Sequence, residues 1–410
     1  MPPIGGRSTG VRWAVAALAA LAAIAPASTA RAASSAAGPT NITTSTYVPV
    51  TDSPITLTFT AEPGFTAPVR FVYEINGRSR SVKATGGTAS IAYTPVGRTI
   101  RVSAHGVSRD GSAGPEGRLV LGALAATPYA DKDLDGDGRP DLLTAGGTAG
   151  LPTGVWLAKG RTGGNGRVRV PAADIGVNGN GVGTSFDGSR VITGQFTGTG
   201  FTDVLVYYAG GVNPGSGIVI DGSGDGTALQ AQLGFEHTIS AGFLTDLNGE
   251  NPRQLVNAYH SAGTNYAYAD LLGVFTGALE YYANQNGTLN LAFPVALTNP
   301  TPTGGTNWAD WTLASLSLPS GTAMFLWNAG TGGLYLWTGV TFTDNGDFTG
   351  SLAYTQRTIS TDWNRGVELA DLQAADFGGD GVPDLWAVGP AGDVTAYVGG
   401  SRATTPQHLL

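Results

Sequence analysis

Residues Asp131 to Leu143 read DKDLDGDGRPDLL: five aspartates within eleven residues, then an apolar run. The chain is otherwise sparing with charge, since Asp, Glu, Lys and Arg make up 13% of its 410 residues. Like charges this close repel, so the loop is unfavourable unless something neutralises it. Counted from Asp133, carboxylates stand at positions 1, 3, 5 and 9: Asp133, Asp135, Asp137 and Asp141. Gly138 follows position 5, where a sharp turn needs a residue free of Cβ strain. Arg139, at position 7, offers its backbone carbonyl. A hard cation such as Ca²⁺ takes roughly six to eight oxygens, which alternating aspartates in a curled loop supply. Mg²⁺ keeps its waters and fits less well. An EF-hand also opens D-x-D-x-D-G, but it needs Glu at position 12 and flanking helices. Position 12 here is Thr144, and the run around it has the texture of a strand.

The pattern recurs. A loop, a strand, a Gly turn and an aromatic-rich strand follow one another in QFTGTGFTDVLVYYAGGVNPGSGIVIDG (Gln195–Gly222) and, more loosely, in LTDLNGENPRQLVNAY (Leu244–Tyr259). They follow again in LSLPSGTAMFLWNAGTGGLYLWTG (Leu316–Gly339) and DFGGDGVPDLWAVGPAGDVTAYVGG (Asp376–Gly400). The loops start at Asp133, Gln195, Leu244, Leu316 and Asp376, at intervals of 62, 49, 72 and 60 residues. A period near sixty with about four strands per unit has the size of a β-propeller blade, and such units must stack to bury both sheet faces. The 287 residues from Leu124 to Leu410 accommodate about five.

The last loop keeps Asp376, Asp380 and Asp384 but has Gly378 at position 3, enough for a weaker cation site. The second keeps only Asp203 and reads as metal-free; the third carries Asp246, Asn248 and Gly249. DGSGDG (Asp221–Gly226) mimics the opening but has Leu229 at position 9, so it reads as a plain turn. Solvated Asp-Gly turns are the bland alternative for every one of these loops.

Together, DLDGDGRPD, GQFTGTGFTD and AADFGGDGVPD resemble the FG-GAP or VCBS repeats of integrin α-chain propellers and of many exported bacterial proteins. The resemblance covers roughly 124–410. It implies a propeller in which calcium, bound between the first two strands of a blade, stiffens the blade edge. It carries that role to Asp133, Asp135, Asp137, Arg139 (backbone) and Asp141, and to Asp376, Asp380, Val382 (backbone) and Asp384. Members commonly have seven blades; five units are recognisable here.

Ahead of the array, PITLTFTA (Pro54–Ala61) alternates apolar and polar residues, as a half-buried strand does. Asn76-Gly77 separates two strand-like runs, a strong hairpin cue. Six or seven strands across 46–123 predict a small sandwich of immunoglobulin-like type, without that fold's Cys and Trp hallmarks. Residues 33–45 read as a Ser/Ala/Thr-rich linker. Residues 1–32, with Arg7, Arg12, an apolar core from Trp13 to Ala25 and an ARA cleavage pattern, read as a bacterial Sec-type signal peptide. That core is too short for the ~20 residues of a spanning helix.

Removing 1–32 takes three arginines and no acid, so the formal charge moves from −8 to −11, with 19 basic against 30 acidic residues. Such a chain is a poor nucleic-acid binder, because that binding relies on Lys and Arg neutralising phosphate. No Cys is present, which excludes disulfides and thiol chemistry. The four histidines, at 105, 237, 260 and 408, show no metal-ligand spacing, and neither G-x-S-x-G nor H-E-x-x-H occurs. Trp327, Trp337 and Trp386 fall in strand-like runs and predict packing between units; Trp308, Trp311 and Trp363 fall in loop-like runs where rings can stack on sugars.

The sequence therefore predicts an all-β, secreted, non-catalytic calcium-binding repeat protein. Its ligand would be an extracellular protein or glycan, with neither nucleic acid nor a membrane span involved. The alternative is a carbohydrate-binding accessory module of a secreted enzyme system.

Overall fold

The computed structural model describes residues 36–147, 151–176, 186–211, 213–227, 236–246, 248–263 and 268–410. Every regular element of more than one residue among them is a β-strand, so the chain is all-β. The expected leader, 1–32, lies outside the described residues.

The first seven strands are β1 (Thr40–Thr44), β2 (Ile55–Ala61), β3 (Arg70–Ile75), β4 (Arg78–Lys83), β5 (Thr88–Tyr93), β6 (Thr99–Val107) and β7 (Gly117–Gly122). They form two antiparallel sheets, ordered β1-β2-β5 and β4-β3-β6-β7. Alternation decides which side faces in: β6 buries Ile100, Val102 and Ala104 and exposes Arg101. These meet Phe71 and Tyr73 of their own sheet and Leu57 and Phe59 of the other in one core. Asn76 and Gly77, at φ 46° and 80°, form the predicted β3–β4 turn. One boundary needs correcting. β1 falls inside 33–45, the stretch read as linker, and pairs with β2 from Thr40↔Ala61 to Thr44↔Leu57. Its sequence, TNITT, holds a single large apolar residue, so no local pattern marks it; the partner strand makes it a strand.

Four sheets follow, and the one with eight strands divides into two four-stranded halves, which gives five units. The first contains β8 (Leu142–Ala145), β9 (Val155–Ala158) and β10 (Ala173–Asp174). The second contains β11 (Arg190–Gly194), β12 (Asp203–Tyr208), β13 (Ser216–Ile220) and β14 (Glu236–Ile239). The third contains β15 (Gln254–Tyr259), β16 (Asp270–Val274), β17 (Leu279–Tyr282) and β18 (Val295–Leu297). The fourth contains β19 (Trp311–Leu318), β20 (Gly321–Asn328), β21 (Gly333–Asp344) and β22 (Thr349–Ser360). The last contains β23 (Asp371–Ala375), β24 (Asp384–Val388), β25 (Asp393–Val398), β26 (Ser401–Arg402) and β27 (Gln407–His408). The third and fourth fuse, because the start of β22 pairs in parallel with β18.

Apolar layers join the units in a cycle. Leu143 and Leu157 of the first meet Val204 and Val206 of the second. Leu205 and Tyr207 of the second meet Leu255 and Leu271 of the third. Val256 and Leu272 meet Met324 and Trp337; Phe325 and Leu336 meet Leu372 and Leu385. Trp386 and Val388 of the last unit then meet Leu142 and Ala158 of the first. The C-terminal tail joins that final layer: Leu409 is fully buried, its carbonyl accepts the Ala172 N–H at 2.7 Å, and the Gln407 amide exchanges two hydrogen bonds with the Val168 backbone. Trp327, Trp337 and Trp386 are buried in these layers, as their strand positions predict.

The strands β11, β15, β19 and β23 start about sixty residues apart and line a narrow channel. In the first unit the irregular segment before β8 takes that place and contributes Lys132. This ordering corrects the repeat register. The loops 195–202 and 376–383 join the channel strand to the next, but Leu244–Asn251, taken as the third loop, precedes β15 and joins two units. In the fourth unit the connection is the two residues Pro319 and Ser320.

The sandwich is docked on the second unit. The Arg98 guanidinium donates to Asp221 Oδ2 at 2.9 and 3.2 Å and to the Ala123 carbonyl at 2.9 Å, and the Arg98 N–H donates to the Ser223 carbonyl. Both charged side chains are buried.

Candidate metal centre

The loop from Asp133 to Asp141 enters β8, and backbone N–H groups fix its carboxylates. Asp133 Oδ1 accepts the N–H groups of Asp135 and Gly136, and Oδ2 accepts that of Gly138 at 2.9 Å. Asp141 Oδ2 accepts the Leu134 N–H at 3.0 Å, and Oδ1 accepts the Gly160 N–H at 2.8 Å. Gly136 and Gly138, at φ 78° and 79°, supply the left-handed turns that curl the chain around Asp133.

The outcome is a group of three. Asp133, Asp135 and Asp141 each present a carboxylate oxygen, all within 4.8 Å of one another. Two of the three residues are buried, and a group of this kind can hold a metal ion. Burial pushes the Asp133 carboxyl above its ordinary value, and Asp135 and Asp137 push it the same way against its N–H donors. Burial likewise pushes Asp141 up to about 7. A carboxylate oxygen has two lone pairs, so one spent on an N–H leaves another for a cation. The donor set therefore fits a hard cation.

The remaining predicted ligands are placed differently. Asp137 turns to Arg139: its Oδ2 lies 2.8 Å from the guanidinium, and its Oδ1 accepts the Arg139 N–H. Among the described residues, Asp376, Asp380 and Asp384 form no such trio. Asp376 accepts the N–H groups of Asp380 and Gly381, Asp380 accepts that of Val382, and Asp384 accepts those of Phe377 and Gly399. Gly378 leaves position 3 without a carboxylate, so the loop is curled but lacks the residue equivalent to Asp135.

Two features were not read from the sequence. Lys159, next after β9, sets its ammonium 3.0 Å from Asp135 Oδ2; no spacing rule points to it. The second feature is a recurrent tie. Asp141, Asp203 and Asp384 each accept an N–H seven residues upstream with one oxygen, from Leu134, Phe196 and Phe377. The other oxygen of each accepts an N–H beyond the following strand, from Gly160, Gly222 and Gly399. Asp270 makes the second bond, accepting the Asn284 N–H with Oδ1, and its Oδ2 accepts the Tyr281 hydroxyl. The ninth-position aspartate thus holds the start of its loop to the end of the adjacent hairpin.

A cavity of about 500 Å³ at one mouth of the channel is lined by Tyr129, Asp131, Lys132, Tyr259, His260 and Asp376, among others. Asp131 spans this mouth, accepting the Tyr259 hydroxyl at 2.9 Å and the Ser317 N–H at 3.0 Å. The tryptophans expected in loops are not available to a ligand: Trp308, Trp311 and Trp363 are 1%, 7% and 7% exposed, and Trp311 is the first residue of β19 rather than part of a loop. Trp308 packs against Trp337 and Trp311, and Trp363 against Trp327 and Tyr397.

No family model and no curated protein matches the chain. Among solved structures it is similar to the exotype rhamnogalacturonan lyase YesX, at 10% identity and a TM-score of 0.19, over 87% of this chain. The chain spans 65% of that lyase's length. It is also similar to a structure of a 1.5-MDa bacterial ice-binding adhesin, described for host cell surface retention, at 12% identity and a TM-score of 0.18. That match covers 78% of this chain and 96% of the other. Likenesses this distant define neither a family nor an activity.

Proposed function

We propose that the protein is an exported, non-catalytic repeat protein in which an immunoglobulin-like sandwich rides on a five-bladed propeller of FG-GAP/VCBS type, stiffened by calcium and serving adhesion or ligand binding. The observation that carries this reading is the convergence of Asp133, Asp135 and Asp141 in a loop pre-curled by backbone N–H groups. Calcium accepts an irregular set of several carboxylate oxygens better than Mg²⁺ does. The closed cycle of apolar layers and the recurrent aspartate tie support the blade reading. Asp376, Asp380, Val382 and Asp384 form a weaker second loop of the same kind.

The acids at the channel mouth are engaged, Asp131 with Tyr259 and Ser317 and Asp376 with its own loop, which favours a scaffold over a catalyst. A carbohydrate-binding role loses the residues that favoured it, since Trp308, Trp311 and Trp363 are buried.

The test is calcium titration of the full chain by calorimetry and by thermal melting. A ligand that binds only the folded state raises stability by mass action. Calcium is expected to raise the melting temperature, and Asp135→Ala to abolish most of that gain. An unchanged wild-type melting curve, with no binding heat, sinks the reading. Screening of glycans and extracellular proteins with and without EGTA then identifies the ligand class.

A further inference from the structure

We infer that Lys159 is a tethered cation that occupies the acidic loop when no divalent ion is bound and sets the loop's affinity by competing for Asp135. The inference rests on the calcium reading of that loop. The ammonium lies 3.0 Å from Asp135 Oδ2 and donates to the Asp225 carbonyl at 3.4 Å, so it stands where a positive charge belongs.

Its position is built rather than incidental. Gly160, the next residue, donates its N–H to Asp141, which fixes the end of β9 to the ninth position of the same loop. From the other side the 221–227 loop closes over the ammonium. Gly226, at φ 67°, donates to the Leu134 carbonyl, and a Cβ there would meet Lys159 Nζ at 2.6 Å and the Asp135 Cβ at 2.8 Å.

The other units provide the comparison. The residue before the tied glycine is Lys159 in the first unit, Asp221 in the second and Val398 in the last. Of these three, only the unit whose carboxylates gather carries a cation there. A lysine in that place relieves the repulsion among Asp133, Asp135 and Asp141 while leaving two of the three carboxylates unpaired by any cation. A divalent ion must then either displace the ammonium from Asp135 or bind against its repulsion.

The experiment is calorimetric titration of Ca²⁺ into the full chain as wild type, Lys159→Met, Lys159→Gln and Lys159→Arg, each checked for an intact cooperative melt. Lys159→Gln keeps a polar tip for the Asp225 carbonyl and guards against a folding defect in the Met variant. Binding at least tenfold tighter in the Met and Gln variants, with Arg close to wild type, is the expected result. Met and Gln affinities equal to or weaker than wild type overturn the inference and leave the calcium reading standing. Silence from wild type and from both neutral variants overturns the calcium reading itself.

Discussion

Replacing Asp203 by Ala separates the tie from the metal, because the second loop holds no carboxylate trio. Asp203 is fully buried and accepts four donors: the N–H groups of Phe196 at 2.9 Å, Thr197 at 2.8 Å and Gly222 at 3.1 Å, and the Thr197 hydroxyl at 2.8 Å. A buried N–H left without an acceptor costs about 1–3 kcal/mol, so three at the lower bound cost about 3 kcal/mol at pH 5. The cost must also depend on pH. Burial, helped by the nearby Asp221 charge, pushes the Asp203 carboxyl up to about 7 from 3.8, against its donors. A folded-state value above the unfolded one gives stability that is complete below about pH 4 and lost as pH rises through about 7. At about 1.4 kcal/mol per unit, the wild type forfeits up to ~3 kcal/mol between pH 5 and 8.5 that the alanine variant never had. Urea denaturation in EDTA should therefore show a cost of about 3 kcal/mol at pH 5 that falls towards zero at pH 8.5. A cost equal at both pH values refutes the reasoning, because it means the four donors hold the group ionised throughout.

Three further outcomes follow from the packing and the loop. Arg98→Met leaves Asp221 buried without its cation and should cost about 3–5 kcal/mol, exposing the junction around Gly122–Pro128 to limited proteolysis; unchanged cleavage there counts against the docking described. Leu409→Ala empties a fully buried place in the layer between the last and first units and should cost about 2–5 kcal/mol in urea midpoint measurements, whereas Leu410→Ala, half exposed, should cost little. Asp135→Ala should melt no lower than wild type in EDTA, because removing one of three mutually repelling carboxylates offsets the loss of the Lys159 contact, while losing the calcium response.

Strand content was legible because period-two alternation and Asp-Gly turns are local signals. Leu142, Leu157, Val204 and Trp386 stand in strand-like runs, and packing alone decides that they meet in a cycle. What escaped was non-local. β1 is defined by its partner β2, the channel strand β15 by its neighbours β11 and β19, and Lys159 by a loop almost seventy residues further on. The misplacement of the third loop has a chemical cause. Asp246 lies in an exposed turn, accepting the N–H groups of Asn248 and Glu250, and an Asp-x-Asn-Gly turn reads alike wherever it falls.

The ninth-position aspartate has a structural role that needs no ion. Asp203 makes both backbone bonds in a loop with no other acid, and Asp270 makes the bond to the hairpin's end in a loop with no recognisable motif. Only the fourth unit lacks the residue among the described ones, and there β19 and β20 are joined by Pro319 and Ser320, too short a connection to need tying. A long loop between channel strand and second strand leaves buried N–H groups at both its start and the next hairpin's end. One carboxylate, with two oxygens pointing apart, satisfies both. The fold thus accounts for the ninth aspartate by itself, and for position 1 as well, since Asp376 accepts the N–H groups of its own loop where no trio gathers among the described residues. Asp135, at position 3, is therefore the carboxylate that distinguishes the loop where three acids gather from the last loop, where Gly378 stands in its place.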